Sequence, residues 1–173
     1  MSDMKIILFR GRPGAGKTTV SNELAKKTSA PILRKDDIYD VAAQYVLEHQ
    51  IRNKVSYGAL YAILESNIGT DCVFILDYPF QSSEDVAIIE NWCKERAIEL
   101  KSIVVTCTDE ELWAKRFNVR ADNPLPNQLI TNFEDLKKHY GTMQIIPQED
   151  ELLVDTVEPT SVVLEKVLDF IQK

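Results

Sequence analysis

Residues Gly11-Arg12-Pro13-Gly14-Ala15-Gly16-Lys17-Thr18 satisfy the spacing G-x-x-x-x-G-K-[ST] in full. Each residue type has a chemical reason. Gly11, Gly14 and Gly16 let the backbone turn tightly and approach a phosphate chain. The N–H groups of such a loop and of the helical turn after it point at an anion, and the helix dipole adds to the attraction. Lys17 has the reach to meet β- and γ-phosphates, and the Thr18 hydroxyl can ligate Mg²⁺. Pro13, Ala15 and Thr19 complete the expected phosphate-binding set. A Gly-rich turn that binds nothing is the competing reading, but such a turn has no use for a Lys-Thr pair after its last Gly.

Three further groups could complete the chemistry. Arg34-Lys35-Asp36-Asp37 follows a short apolar run. A carboxylate there could face the γ-phosphate and accept the proton of an attacking hydroxyl, and Asp36 is the candidate base. Either Asp could instead cap the next helix, although one suffices for that. Val73-Phe74-Ile75-Leu76-Asp77 is an apolar run ending in a carboxylate, the form of a second nucleotide motif whose Asp holds Mg²⁺ directly or through water. Arg116 and Arg120 lie four residues apart on one helical face. Behind them the Pro/Asn-rich stretch Ala121-Asp122-Asn123-Pro124-Leu125-Pro126 could form a mobile lid over about 114–130. Arginines there would neutralise charge on a transferring phosphoryl group. Their alternative is a solvated basic face paired with Asp109, Glu110 or Glu111. Arg34, Asp37 and Tyr78 flank the carboxylates and are the expected acceptor contacts. Tyr78-Pro79-Phe80 reads equally as a packed turn.

These side chains need a scaffold that brings distant loops together. Strand-like runs at 5–9, 31–34, 72–76, 101–106 and 151–155 alternate with helical segments near 17–28, 37–50, 54–68, 83–97, 109–118, 131–140 and 160–172. The alternation predicts a three-layer α/β domain over residues 1–173, with a central five-stranded parallel sheet. Ligands of such sheets bind beyond the carboxyl ends of the strands, where every motif above falls. Thr108-Asp109-Glu110-Glu111 and Thr131-Asn132-Phe133-Glu134 fit capping boxes, and Gly141 suits a helix stop. His49 and His139 read as isolated helix-surface residues. Trp92 and Trp113 read as core.

Composition narrows the function. The chain has 173 residues, 45% of them hydrophobic, and a net charge of −7. The acidic balance argues against an extended nucleic-acid surface and leaves a small acceptor or a nucleic-acid end. Cys72, Cys93 and Cys107 show no C-x-x-C or Cys/His ligand spacing. They read as reduced core residues of a cytoplasmic protein. Nothing resembles a secretory signal or a membrane span. Asp77-Tyr78-Pro79-Phe80 lacks the Gly of a D-x-x-G switch, and Asn53-Lys54-Val55-Ser56 lacks the Asp of an N-K-x-D guanine reader, which argues against a GTPase. The short chain, with no separate helical lid domain, argues against a ring-forming ATPase.

Together these motifs resemble the small P-loop kinase superfamily. It includes adenylate, shikimate and gluconate kinases and the AAA_33, zeta-toxin and polynucleotide 5′-kinase-like enzymes. The local match to the phage polynucleotide 5′-kinase is specific at Gly11 to Thr18 and extends to Lys35-Asp36-Asp37 and to Arg116 and Arg120. The resemblance implies that Asp36 is a general base and that the two arginines contact phosphate. Ile38-Tyr39-Asp40 departs from that enzyme by offering no substrate arginine. The expected function is ATP- and Mg²⁺-dependent transfer of a phosphoryl group to a hydroxyl of a small molecule. Alternatives are a nucleoside, nucleotide or polynucleotide 5′-hydroxyl kinase, and an ATP-binding regulatory module without catalysis. The acceptor, ATP over GTP, and oligomeric state are not fixed by the sequence.

Overall fold

The computed structural model describes residues 4–173. Five strands are present: β1 (Lys5–Arg10), β2 (Ile32–Arg34), β3 (Val73–Asp77), β4 (Glu99–Thr106) and β5 (Leu152–Asp155). They form one sheet in the order β2-β3-β1-β4-β5, and every pairing is parallel. Around it lie α1 (Lys17–Thr28), α2 (Lys35–Ala42), α3 (His49–Ser66), α4 (Ser83–Glu95), α5 (Glu110–Ala121), α6 (Phe133–Tyr140) and α7 (Thr160–Ile171). The predicted three-layer α/β architecture is therefore the observed one.

Strand alternation divides the interior. Ile7 and Phe9 point to one face and pack with Val20 and Leu24 of α1, Trp113 and Phe117 of α5, and Val163 and Val167 of α7. Met4, Ile6 and Leu8 point to the other and pack with Leu60 and Leu64 of α3 and Val86 and Ile89 of α4. Central β1 serves both cores, so it reads as one apolar run. Trp113 is in the core as expected, and Cys93 and Cys107 are buried and free.

Register aligns the chemistry. Asp77 pairs with Phe9 on one side and with Arg34 on the other, and Thr106 pairs with Asp155. The carboxyl ends of the strands thus fall together at one edge. There a buried ion pair between Arg10 and Glu151 anchors the end of β1, and Ser102 donates to Glu151 Oε1 at 2.6 Å.

Several boundaries move. The predicted helices at 37–50 and 54–68 become 35–42 and 49–66. The chain turns through residues 43–48, and Tyr39 OH lies 2.7 Å from His49 Nδ1. Residues 43–48 contain no Gly or Pro, so the break carries no local stop signal. Asp36 and Asp37 are not caps: both sit in the first turn of α2, whose N-cap is Arg34. The caps of α5 and α6 are Asp109 and Asn132, one residue later than predicted. Thr108 is instead held by the carboxylate of Asp155. A capping box absent from the sequence reading joins Ser82 and Asp85. Gly141 ends α6 as expected, at φ 68°.

Candidate active site

The loop between β1 and α1 is fixed by what surrounds it. Gly11 has φ +151°, and a Cβ there would lie 2.3 Å from the carbonyl oxygen of Val105. Gly16 has φ +105° and would meet Thr156 at 2.9 Å. No other residue type fits either position without moving a neighbour. Trp113 Nε1 donates to Pro13 O at 2.9 Å, and Thr156 Oγ1 donates to Ala15 O at 2.7 Å. The first turn of α1 carries no acidic residue, so its positive end is available to an anion. Lys17 Nζ donates to the carbonyls of Gly11 at 2.8 Å and Arg12 at 3.1 Å. Burial lowers its pKa, while Asp77 and Asp36 act against that.

Asp77, only 5% exposed, closes the end of the loop. Its Oδ2 accepts from Thr18 Oγ1 at 2.9 Å and from Arg34 Nε at 3.0 Å. A hydroxyl and a carboxylate this close fit a hard cation, and Mg²⁺ needs only one or two protein oxygens when phosphates and water supply the rest.

Beyond the loop opens a cavity of about 810 Å³. Its described lining includes four cations, Lys17, Lys35, Arg116 and Arg120, against two carboxylates, Asp36 and Asp77. In a chain of net charge −7, this crevice is a local positive site. Burial raises the pKa of Asp36, partly opposed by Lys17 and Lys35. A carboxylate held above its ordinary range accepts a proton more readily, as a base near neutrality requires.

The arginine pair divides its work. Arg116 donates to Thr156 Oγ1 at 2.8 Å and to Thr156 O at 3.0 Å, which ties α5 to the β5–α7 loop. Arg120, one turn on, lies within electrostatic range of Lys17 and Asp36. Residues 114–121 of the predicted lid are the last two thirds of α5. The irregular part runs over 122–132, and Leu129 and Ile130 from it line the cavity. Asn127 donates to the Asp40 carboxylate from its backbone N at 2.9 Å and its Nδ2 at 2.7 Å. This connection therefore spans from α5 to α2. Asp36 and Asp40 are one turn apart, so the helix that offers a base also holds the strap.

The three predicted acceptor contacts are not brought to the cavity. Tyr78 follows Asp77 on the strand path and so turns to the opposite face. It is fully buried in the second core and donates to Ser56 O at 3.0 Å. Arg34 is spent on Asp77, Asn22 and Asp37. The Asp37 side chain is 70% exposed, a helical step away from Asp36. His49 and His139 are exposed on α3 and α6 as expected, and both also line the cavity. Arg12, Asn53 and Gln81 were not singled out from sequence. Only Arg12 had a signal there, as a charged residue inside the phosphate motif.

The AAA domain family model AAA_33 matches residues 6–138, a span from β1 through most of α6. The chain belongs to this family. No curated protein sequence matches it. Among solved structures, a kinase candidate from Chloroflexus aurantiacus J-10-fl superposes with a TM-score of 0.77 at 19% identity, covering 99% of this chain and 98% of its own. A gluconokinase from Sinorhizobium meliloti 1021 superposes with a TM-score of 0.64 at 15% identity, covering 97% and 91%. The Mycobacterium tuberculosis APS kinase in complex with AMPPNP and APS gives 0.66 at 16% identity, covering 98% of both chains. At such identities the likeness is one of fold. Among the described residues no helix is long and apolar enough to cross a membrane.

Proposed function

We propose that this protein is an ATP- and Mg²⁺-dependent kinase that phosphorylates a hydroxyl of a small molecule. The observation that supports this best is Asp36, a half-buried carboxylate of raised pKa on the wall of the cavity that Lys17 and Thr18 also line. Structural neighbours with kinase names, one of them bound to an ATP analogue and a small acceptor, point the same way.

In this reading the loop amides and Lys17 hold the β- and γ-phosphates. Thr18 and Asp77 hold Mg²⁺, which neutralises the phosphate oxygens when bound. Arg34 keeps Asp77 in place. Asp36 orients the acceptor hydroxyl and takes its proton. The acceptor oxygen bonds to the γ-phosphorus as the bond to the bridging oxygen breaks. The products are ADP, the phosphorylated acceptor and a proton passed from Asp36 to solvent. Arg120 faces the transferring group, and Arg116 steadies the nucleoside side through Thr156. Residues 122–132 close the chamber against water.

The test is ATP consumption with Mg²⁺ over a panel of sugars, hydroxy acids, nucleosides, antibiotics and 5′-hydroxyl oligonucleotides. Acceptor-dependent turnover that disappears in Asp36→Asn is the expected result. Tight ATP binding with no acceptor-dependent turnover would favour a regulatory module instead.

A further inference from the structure

A side chain from outside the Gly11–Thr18 motif holds the loop from the cavity side. Gln81 stands between β3 and α4, half-buried, and lines the cavity. Its Nε2 donates to Gly11 O at 3.3 Å, and its Oε1 accepts from Arg12 Nη1 at 2.7 Å. A guanidinium only donates, so the amide has one orientation, oxygen toward Arg12 and nitrogen toward Gly11. Arg12 is held in turn, its guanidinium 4.2 Å from the centroid of the Tyr140 ring. The chain just before Gln81 is bent to reach this place. Phe80 has φ 33°, a left-handed conformation rare for a bulky residue, and its carbonyl accepts from Arg10 Nη1 at 3.3 Å. Strain of this kind persists only where the surroundings enforce it, and it clusters at ligand clamps.

Gly11 O is also one of the two carbonyls on which Lys17 Nζ rests, at 2.8 Å; the other is Arg12 O, at 3.1 Å. To meet a phosphate, Lys17 must leave both. Gly11 and Arg12 are buried residues, and a buried carbonyl that loses its donor costs more than the net worth of the bond. The loop has little room to turn Gly11 elsewhere, because it is packed against Val105 O. Each carbonyl has a second donor instead. Arg12 O accepts from Ala15 N at 3.3 Å, within the loop itself. For Gly11 O the second donor is Gln81 Nε2.

We propose that Gln81 is a positioning residue of the phosphate loop. It keeps Gly11 O paired while Lys17 crosses to the β- and γ-phosphates, and so lowers the cost of that exchange. Arg12 serves the same end indirectly, by fixing which way the Gln81 amide faces. The inference rests on the kinase reading, in which Lys17 holds those phosphates, and adds to it a residue from a different loop.

The test compares the whole chain with Gln81→Met, which keeps the length of the side chain and removes both polar ends. Calorimetry with Mg²⁺ measures AMPPNP, ADP and AMP, and thermal unfolding checks the fold. We expect AMPPNP and ADP to bind about three- to tenfold more weakly in the variant, the scale of one neutral hydrogen bond. AMP, whose single phosphate stops short of the β- and γ-positions that Lys17 serves, should stay within about twofold. In a Lys17→Met background the loss on adding Gln81→Met should disappear, because no amine then leaves Gly11 O. If that background binds AMPPNP too weakly to titrate, the AMP comparison decides alone. Unchanged AMPPNP affinity in Gln81→Met overturns the inference. So does an equal loss for AMP, which would mean a general distortion of the loop, or an equal loss in the Lys17→Met background. All three leave the kinase reading intact. Failure of AMPPNP to bind the unaltered chain overturns both.

Discussion

At the β1–α1 loop end of the cavity, Lys17, Pro13 and Ala15 are each hydrogen-bonded within the loop or to Trp113 and Thr156. Away from the loop, the cavity is lined by side chains of α2, α3 and α6 and of the 122–132 connection, and Asn53 Oδ1 of α3 is buried with no partner. The first region is made largely of backbone, continuous in sequence, and complete before any ligand arrives. The second is assembled from side chains of several elements. The difference teaches where binding energy is stored. A preorganised loop stabilises a phosphate chain at little further cost. An incomplete polar chamber favours the ligand that completes it and rejects others, since they would leave its groups unpaired.

The comparison can be broken first at Lys17. Lys17→Ala should lower the transfer rate by roughly 10³-fold or more, the scale of losing a cation that stabilises a transferring phosphoryl group. Single-turnover kinetics measure it. Asp36→Asn should lower it by roughly 10²–10⁴-fold, the range of general base catalysis, with the ATP dissociation constant within about twofold of wild type. Unchanged turnover in this variant would remove Asp36 from the chemistry.

Asp36 also links activity to pH and stability. Burial raises its folded pKa above the ordinary carboxylate value of 3.8. Its stabilising contribution is thus present below that value and is lost as pH rises through the folded pKa. At pH 7 its carboxylate is a net burden on the fold. Asp36→Asn should therefore melt higher than wild type at pH 7, and the gain should vanish near pH 3.5. The acid limb of kcat/KM should lie above the ordinary carboxylate range. Thermal unfolding at both pH values, and a rate profile, check these.

Gly11→Ala sharpens the donor side. A Cβ 2.3 Å from Val105 O forces the loop or β4 to move, at a cost of about 1–3 kcal/mol for overpacking. Denaturant titration reads this, and ATP affinity should fall with it. The smallest effect belongs to the strap. Asn127→Ala removes one of two bonds to Asp40 and should change the acceptor KM by about two- to tenfold. ATP affinity should stay unmoved. Equal effects on both ligands would show that the two ends are not separable in this way.

Much of this was legible in the chain. The strand and helix alternation marked the layers, and the motif from Gly11 to Thr18 was legible together with its flanking strand and helix. Asp36 and Asp77 come to the same cavity because one ends a strand and the other closely follows one in a parallel sheet, which brings both to the carboxyl edge. Tyr78 was misplaced because one step along a strand reverses the face. Arg34 was misplaced because its register opposite Asp77 is a property of pairing. His49 and His139 reached the cavity through a helix break at residues 43–48 and the docking of α6, neither of which has a local signal.

What the sequence determined by itself is therefore the phosphate-loop motif and the layer order, since both depend on short spacings and periodicity. The tertiary structure alone decided which side chains surround the cavity. Arg12 against Tyr140, Asn127 on Asp40, and Arg116 on Thr156 join residues separated by 128, 87 and 40 positions. Only closure of the sheet and packing of α5 and α6 bring such partners within hydrogen-bonding or stacking reach, because contacts at that separation leave no periodicity in the chain.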